Sequence, residues 1–462
     1  MSPGDASIAL NRALKGRSFT ALIPTSDLHV TRGMNILLHF FGSIEILFGF
    51  MMAPRNISEV NGYIGRNKVK SKDYAPRRAQ GTSPIRDNNR DFVLEVLRRN
   101  QPISRVGLAR RSGLQRSTIS SIVDGLIEER WVCEGSAMKT DRGRRPTMLT
   151  MNDDLLLLVA DIRPTKAILA VIDLNGRFLD RTMVPIIADP RKGIEVIAEG
   201  MRHLQSHFPG KTWEGVGISL PGRVNKISHK LAWAPNLPWV GFDIRGTLQK
   251  ALKIQVELEN AANACLLSEV WFGHMEGIQD AVLITISEGV GAAALVNGRL
   301  MEGADGLAGE LGHVPVSDSG PTCACGQVGC WEMFASSRAA LRYHNEEMKG
   351  AGATTFQELM NLEASGDNAA HAAMNRQAEW IGRGLRVVTA AFNPEIILFV
   401  GDITLRWDAV GPIINAELTR RLVGGAQPKI AVLSDAEAAR LRGASAVLLQ
   451  RHIKFRRTSA IR

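Results

Sequence analysis

Residues 155–184 read LLLLVADIRPTKAILAVIDLNGRFLDRTMV. Three apolar runs lie inside this stretch, Leu155–Ala160, Ala167–Asp173 and Arg177–Val184, with Asn175-Gly176 between the second and the third. Asn-Gly meets the positive φ that a two-residue hairpin turn demands, so the stretch predicts a strand meander. Further along, Gly215–Leu220 predicts a strand ending at Pro221-Gly222, Ile254–Leu258 another, and Ala261–Phe272 a helix. A second round opens with Ala281–Ile286, turns at Gly289-Val290-Gly291 and continues through Ala292–Val296. Ile396–Val400 and Ile430–Leu433 read as buried strands, each behind a helical stretch. Two rounds of meander plus crossover helices predict a duplicated α/β unit with a cleft between two lobes, where ligands gather at strand carboxyl ends.

The whole chain has 462 residues, 45% of them hydrophobic, with 56 Lys+Arg against 46 Asp+Glu and a formal net charge of +10. That length implies two to three domains, and the composition excludes a disordered or collagen-like chain. Five cysteines, three of them within eight residues, cannot build a distributed disulfide framework and favour a reducing, cytoplasmic compartment. The basic balance permits an acidic polymer as partner without demanding one. Met34–Ala53 is long enough to span a membrane, but Glu45 and His39 inside it disfavour that reading. Arg66–Arg90 is a basic arm broken by Pro76, Gly81 and Pro84, so residues 1–88 are expected to be a poorly ordered extension; a natural start at Met51 or Met52 is the alternative.

Regular structure is expected from Asn89. Phe92, Val93, Val96 and Leu97 lie at helical spacing, Asn100 and Pro102 stop that helix, and Ser104 can cap a second one closed by Gly113. In the segment from Gln115 to Leu126, Ile119, Ile122, Val123 and Leu126 form a buried stripe, and the other face carries Gln115, Arg116, Ser117, Thr118, Ser120 and Ser121. Small hydroxyl residues let a helix approach phosphates, while Gln115 and Arg116 can reach base edges in a major groove. An αα-hairpin with a solvated face is the plainer alternative. Asp141-Arg142-Gly143-Arg144-Arg145-Pro146, following a strand at Trp131-Val132, then predicts a cationic wing suited to phosphate or minor-groove contact. From Arg86 to Arg145 there are 13 basic residues and 8 acidic, a local excess of +5. Residues 89–150 are therefore expected to bind double-stranded DNA, through Ser104, Gln115, Arg116, Ser117, Thr118, Ser120 and Ser121 and through the wing residues Arg142, Gly143, Arg144 and Arg145.

His313 followed by Cys323, Cys325 and Cys330 is the sharpest chemical signal in the chain. Three thiolates and an imidazole complete a closed, tetrahedral and therefore structural zinc site, with Gly326 and Gly329 permitting the tight turns.

The segments ISRVGLARRSGLQRSTISSIVDGLIEE and GRRPTML resemble the winged helix-turn-helix of the regulators in the ROK family, whose name stands for repressors, open reading frames and kinases. Gly309-Glu310-Leu311-Gly312-His313 and the Cys-x-Cys-Gly-x-x-Gly-Cys-x-Glu loop match that family's signature, and the similarity runs from about Asn89 to Gln450. It implies a two-lobed, actin-like (ribonuclease-H-like) α/β domain behind the winged helix, with lobe 1 at 155–276, lobe 2 at 277–450 and a basic tail at 451–462. It implies a sugar effector held by Asn260, Glu310, His313 and Glu332, with His313 bridging zinc and ligand, and a homodimer or a dimer of dimers is expected.

The chain departs from the pattern of the family's kinases at the reacting positions. Their Asn-Asp pair, whose Asp is the base, reads Asn260-Ala261 here, and alanine cannot accept a proton. Their Asp-x-Gly-Gly-Thr-Lys phosphate loop reads Asp161-Ile162-Arg163-Pro164-Thr165-Lys166, and a late Gly-Gly near the adenosine reads Gly401-Asp402. A kinase without its base loses about 10²- to 10⁴-fold in rate. The expectation is a DNA-binding regulator of carbohydrate genes that uses no ATP. Two other readings stay open: a sugar kinase carrying a DNA-binding appendage, and a module sequestered by a partner protein.

Overall fold

In the computed structural model, the described residues are 84–459 without 136–146, 226–227, 235, 274, 276, 305, 307, 350–351 and 421–426. They belong to one unit, Gly81–Arg462. Helix α1 (Pro84–Asn100) begins five residues ahead of the expected Asn89. It leads through β1 (Ile103–Ser104) into α2 (Arg105–Ser112). The Ser104 hydroxyl accepts from the Gly107 N–H at 3.1 Å and so caps α2, while Gly113, at φ 70°, ends it in the left-handed conformation that glycine adopts without steric cost. α3 (Arg116–Glu128) follows with Gln115 at its cap position. Ile119, Ile122, Val123 and Leu126 are its buried residues, as the spacing predicts. β2 (Val132–Gly135) and β3 (Met148–Met151) pair antiparallel, and β1 adds to β3 to complete a three-stranded sheet. The expected wing tip, Asp141–Pro146 with Arg142, Gly143, Arg144 and Arg145, lies outside the described residues.

β4 (Leu155–Ile162), β5 (Lys166–Asp173) and β6 (Phe178–Pro185) form the meander read from the opening stretch. β4 is buried along its whole length, whereas β6 alternates because it is the sheet's edge. α4 (Pro190–Ser206) then crosses to β7 (Thr212–Leu220), followed by β8 (Arg223–Val224), β9 (Leu231–Trp233) and α5 (Ile244–Leu252). β10 (Val256–Asn260) pairs parallel to β7, giving the order β10-β7-β4-β5-β6, and α6 (Ala261–Phe272) leaves its carboxyl end. The second round repeats this plan. β11 (Ala281–Ile286), β12 (Val290–Val296) and β13 (Arg299–Leu300) form a meander. After α7 (Glu332–Ala335), α8 (Ser337–Glu347), α9 (Phe356–Ala364) and α10 (Asn368–Phe392) come β14 (Ile396–Val400), α11 (Trp407–Thr419) and β15 (Lys429–Val432), giving the order β13-β12-β11-β14-β15.

The last helix, α12 (Ala436–Ser459), departs from the expected lobe boundary at 277–450. It packs on α6, β7 and β4 of the first lobe. Its small residues permit backbone contact: a Cβ on Gly443 would lie 1.9 Å from the Ala264 carbonyl oxygen, and one on Gly217 would lie 1.9 Å from that of Ala444. Leu441, Leu448 and Leu449 join one apolar cluster with Leu155, Leu157 and Val159 of β4 and with Leu94, Leu97, Ile119 and Leu126 of the N-terminal helices. The helical module and the first lobe thus share a core. Among the described residues, no helix is long and apolar enough to cross a membrane, and Met34–Ala53 lies outside them.

Candidate effector cleft, metal cluster and exposed helix

A cleft opens where the carboxyl ends of β7 and β10 face the start of β12. Gly222, Arg223, Glu259, Asn260, Asn263 and Glu310 supply much of its polar lining. Asn260 works twice. Its Oδ1 accepts from the Ala262 N–H at 2.8 Å and caps α6, and its Nδ2 donates to the Gly222 carbonyl at 2.5 Å. Buried Glu259 accepts from the Asn260 N–H and from Asn263 Nδ2, each at 3.0 Å. Ala261 contributes no carboxylate to this turn. Arg223 faces Glu310, Nε to Oε1 3.0 Å, and its guanidinium lies 5.2 Å from the Trp233 ring centre. Arg223, Glu259 and Asn263 escaped the sequence reading, although their place at or just past strand carboxyl ends was a usable signal.

Behind Glu310 lies the cluster of His313, Cys323, Cys325 and Cys330, whose ligand atoms all lie within 4.8 Å of one another. Cys323 Sγ is 3.4 Å from His313 Nδ1, and Cys325 Sγ is 3.6 Å from Cys330 Sγ. Ligands around a tetrahedral zinc, at about 2.3 Å for sulfur and 2.0 Å for nitrogen, stand about 3.5 to 3.8 Å apart, so two of these pairs are already near that spacing, while the rest of the set, spread over as much as 4.8 Å, would close in around a metal. Burial pushes the Cys330 thiol up to about 12 and also raises Cys323. At Cys325 burial is outweighed by hydrogen bonding from the Gln327 backbone and the neighbouring thiols, which holds it below its ordinary value. His313 presents Nδ1 to the thiols and Nε2 to Glu310, 3.8 Å from Oε2.

Of the four residues expected at the effector, Asn260 and Glu310 line this cleft, whereas His313 and Glu332 are not among its lining residues. The Glu332 Oε2 accepts from the Val290 N–H at 3.0 Å and its Oε1 lies 4.0 Å from Cys323 Sγ. Glu332 clamps the β11–β12 turn to the cysteine loop. Gly289 makes room for it, since a Cβ there would lie 2.5 Å from Oε2.

On the side where the kinases' phosphate loop would lie, Asp161 is buried and already engaged. Its Oδ2 accepts from Arg163 Nε at 2.7 Å and from Arg440 Nε of α12 at 2.9 Å, and Arg163 also reaches Glu437 at 3.3 Å. Burial raises the Asp402 carboxyl, which receives the Ser337 hydroxyl at 3.5 Å. On α3, Arg116, Ser117 and Ser121 are exposed, as is Gln115 at its cap, and Thr118 and Ser120 are half-buried. Ser104 is committed to its cap. Arg105 ties α2 to Asp124 of α3 at 2.7 Å and to Glu134 of β2 at 2.9 Å, which braces α3 against the strands.

The model of the ROK family matches residues 159–451, more than half of the chain. The chain belongs to the ROK family. Among curated proteins, it is 29% identical over 342 residues to the xylose repressor of Bacillus subtilis (strain 168), covering 73% of this chain and 88% of the repressor. It is 28% identical over 285 residues to the glucokinase of Streptomyces coelicolor, covering 58% of this chain and 89% of that enzyme. Among solved structures, a ROK family transcriptional regulator described as a homologue of the E. coli MLC protein superposes with a TM-score of 0.68 at 24% identity, covering 80% of this chain and 99% of that one. A ROK family glucokinase from Streptomyces griseus, in complex with glucose and AMPPNP, gives 0.57 at 27% identity over 64% of this chain and 99% of the enzyme. The expected two-lobed ROK architecture is therefore present.

Proposed function

We propose that this ROK protein is a DNA-binding transcriptional regulator, a repressor of carbohydrate-related genes, whose cleft takes a sugar or sugar derivative and which has no kinase activity. The observation that carries the reading is the pairing of an exposed, polar α3 with a cleft that keeps hydroxyl-chelating groups but has Ala261 where a base would sit. Asn260, Glu310 and Glu259 offer acceptors and donors that suit the paired hydroxyls of a sugar. The Arg163-Pro164 turn denies phosphate a glycine cradle, and Asp161 is held by two arginines. The match to a repressor covers more of this chain than the match to a glucokinase, which supports the same reading.

On DNA, α3 would enter the major groove through Gln115, Arg116, Ser117, Thr118, Ser120 and Ser121, with Arg142, Gly143, Arg144 and Arg145 on the flanking backbone or minor groove. Two copies as a homodimer would read half-sites about one helical turn, or a multiple of it, apart. His313, Cys323, Cys325 and Cys330 would hold a structural zinc that keeps Glu310 at the cleft. The deciding experiment is footprinting of the purified full chain on the DNA upstream of its own gene, with and without a panel of sugars, beside a coupled ATPase assay. A protected pseudo-palindrome that a sugar modulates, without sugar-driven ATP consumption, is the expected result. ATP-dependent phosphorylation of a monosaccharide would instead establish the kinase reading.

A further inference from the structure

α6 joins the two functional ends of the molecule. Its first turn belongs to the cleft: Asn260 caps it, Asn263 lines the cleft, and a Cβ on Gly291 of the second lobe would sit 3.5 Å from the Ala262 Cβ. Along its length it packs on α12, β7 and β10 of one lobe and on β11 and β12 of the other. Any change in lobe closure must therefore move it or be resisted by it. A 12-residue helix spans about 18 Å.

Its far end is held by the helical module. The final carbonyls of a helix lack partners within it and carry the negative end of its dipole, so cations with N–H donors are favoured there. Arg98 Nη2 of α1 donates to the Trp271 carbonyl, and Arg99 Nη2 lies 3.5 Å from the Gly273 carbonyl. The Arg98 guanidinium also lies 5.4 Å from the Phe272 ring centre. Phe272 in turn fills the space over Gly176, where a Cβ would come within 2.7 Å of the ring. Gln101, just past α1, donates to Asn175 Oδ1 of that same turn at 2.6 Å and accepts from the Met151 N–H at 2.7 Å. Direct contacts therefore join the module to the end of α6.

We propose that α6 is the strut through which occupancy of the cleft is felt by α1 and, through it, by α2 and α3, with Arg98 as the positioning residue at the junction. The proposal rests on the regulator reading above. It gives the coupling a physical route, in which a rigid helix shared by both lobes shifts at its capped end and carries Trp271 and Phe272 with it. Arg98 transmits the shift because it grips the backbone of α6 and the face of an aromatic ring at once. Coupling of this kind is reciprocal, so operator binding must also be felt at the cleft.

The test uses the full chain and a duplex selected from random sequence by the wild type, with D-xylose and D-glucose as probes. In the wild type one sugar should change duplex affinity by about 5- to 150-fold. In Arg98→Ala the change should fall to about 2-fold or less, with sugar-free duplex affinity and sugar affinity held within about 3-fold, while Arg98→Lys keeps most of the response. Undiminished coupling in Arg98→Ala overturns the strut. A ligand-independent arm follows amide exchange in peptides covering 219–225 and 256–264 with and without duplex. Duplex should alter their protection in the wild type and not in Arg98→Ala. Duplex binding that leaves these peptides unchanged in the wild type also overturns the strut while sparing the regulator reading. Failure to select any duplex overturns that reading and the strut with it.

Discussion

Replacing Cys330 by Ser removes one ligand from the cysteine loop, and its effect can be worked out locally. The backbone hydrogen bonds that close residues 314–331 on themselves are Val316 to Gly329, Cys323 to Gln327, Gly326 to Cys323 and Trp331 to Val314. At about 1 kcal/mol each they supply about 4 kcal/mol. A structural zinc in small peptides contributes about 10 to 16 kcal/mol of apparent binding free energy. If zinc binds as proposed, the order of this loop would therefore rest mainly on the ion. Losing even about 4 kcal/mol of local stability raises amide exchange about a thousandfold. Exchange mass spectrometry on wild type, chelated wild type and Cys330→Ser should show that rise across 309–332, together with a fall from one zinc per chain to none by elemental analysis. Sugar binding should weaken because Glu310 loses its backing, whereas sugar-free operator binding should persist because α1–α3 share a separate cluster with β4 and α12. Loading should also depend on pH. Burial raises the Cys330 and Cys323 thiols, ligation requires thiolates, and so binding releases protons and zinc affinity falls as pH falls. A chelated protein with unchanged protection at 309–332 would refute the reasoning.

Three further outcomes are expected. Arg116→Ala should flatten sequence preference by about 1 to 3 kcal/mol at the base it reads, while Arg144→Ala should weaken binding to all sequences and reduce the salt slope by about one, both measured by titration across salt concentrations. Ala261→Asp should restore no sugar-driven ATP consumption in a coupled assay, since Arg163, Pro164 and the Arg440 contact to Asp161 remain; measurable turnover would contradict the account of the phosphate side. Gly443→Ala should force α12 away from α6, because its Cβ would start 1.9 Å from the Ala264 oxygen. Overpacking of this kind costs about 1 to 3 kcal/mol, or about 2 to 12 °C in Tm for a domain of roughly 150 to 250 residues, and Gly125→Ala, which meets nothing within 4 Å, is the thermal control.

Much of this protein was legible in its residues, wherever the determining physics is local. The stripe of Ile119, Ile122, Val123 and Leu126, the Ser104 cap and the Asn175-Gly176 turn each follow from spacing within about a dozen positions. The cluster of His313, Cys323, Cys325 and Cys330, which could hold a metal, was equally legible as a group, because chelation leaves its own short-range spacing. The expectation that Ala261 replaces a base needed only the motif around it. What the tertiary structure alone decided involves partners far apart in the chain. Arg440 on Asp161, 279 positions away, and Arg98 on the Trp271 carbonyl, 173 positions away, leave no trace in local periodicity. Glu332 carries a motif that suits a sugar, yet its carboxylate meets a backbone N–H presented by a turn 42 positions earlier. Helical patterning can announce α12, but the sheet it covers is chosen by where two lobes leave a groove narrow enough for Gly217 and Gly443.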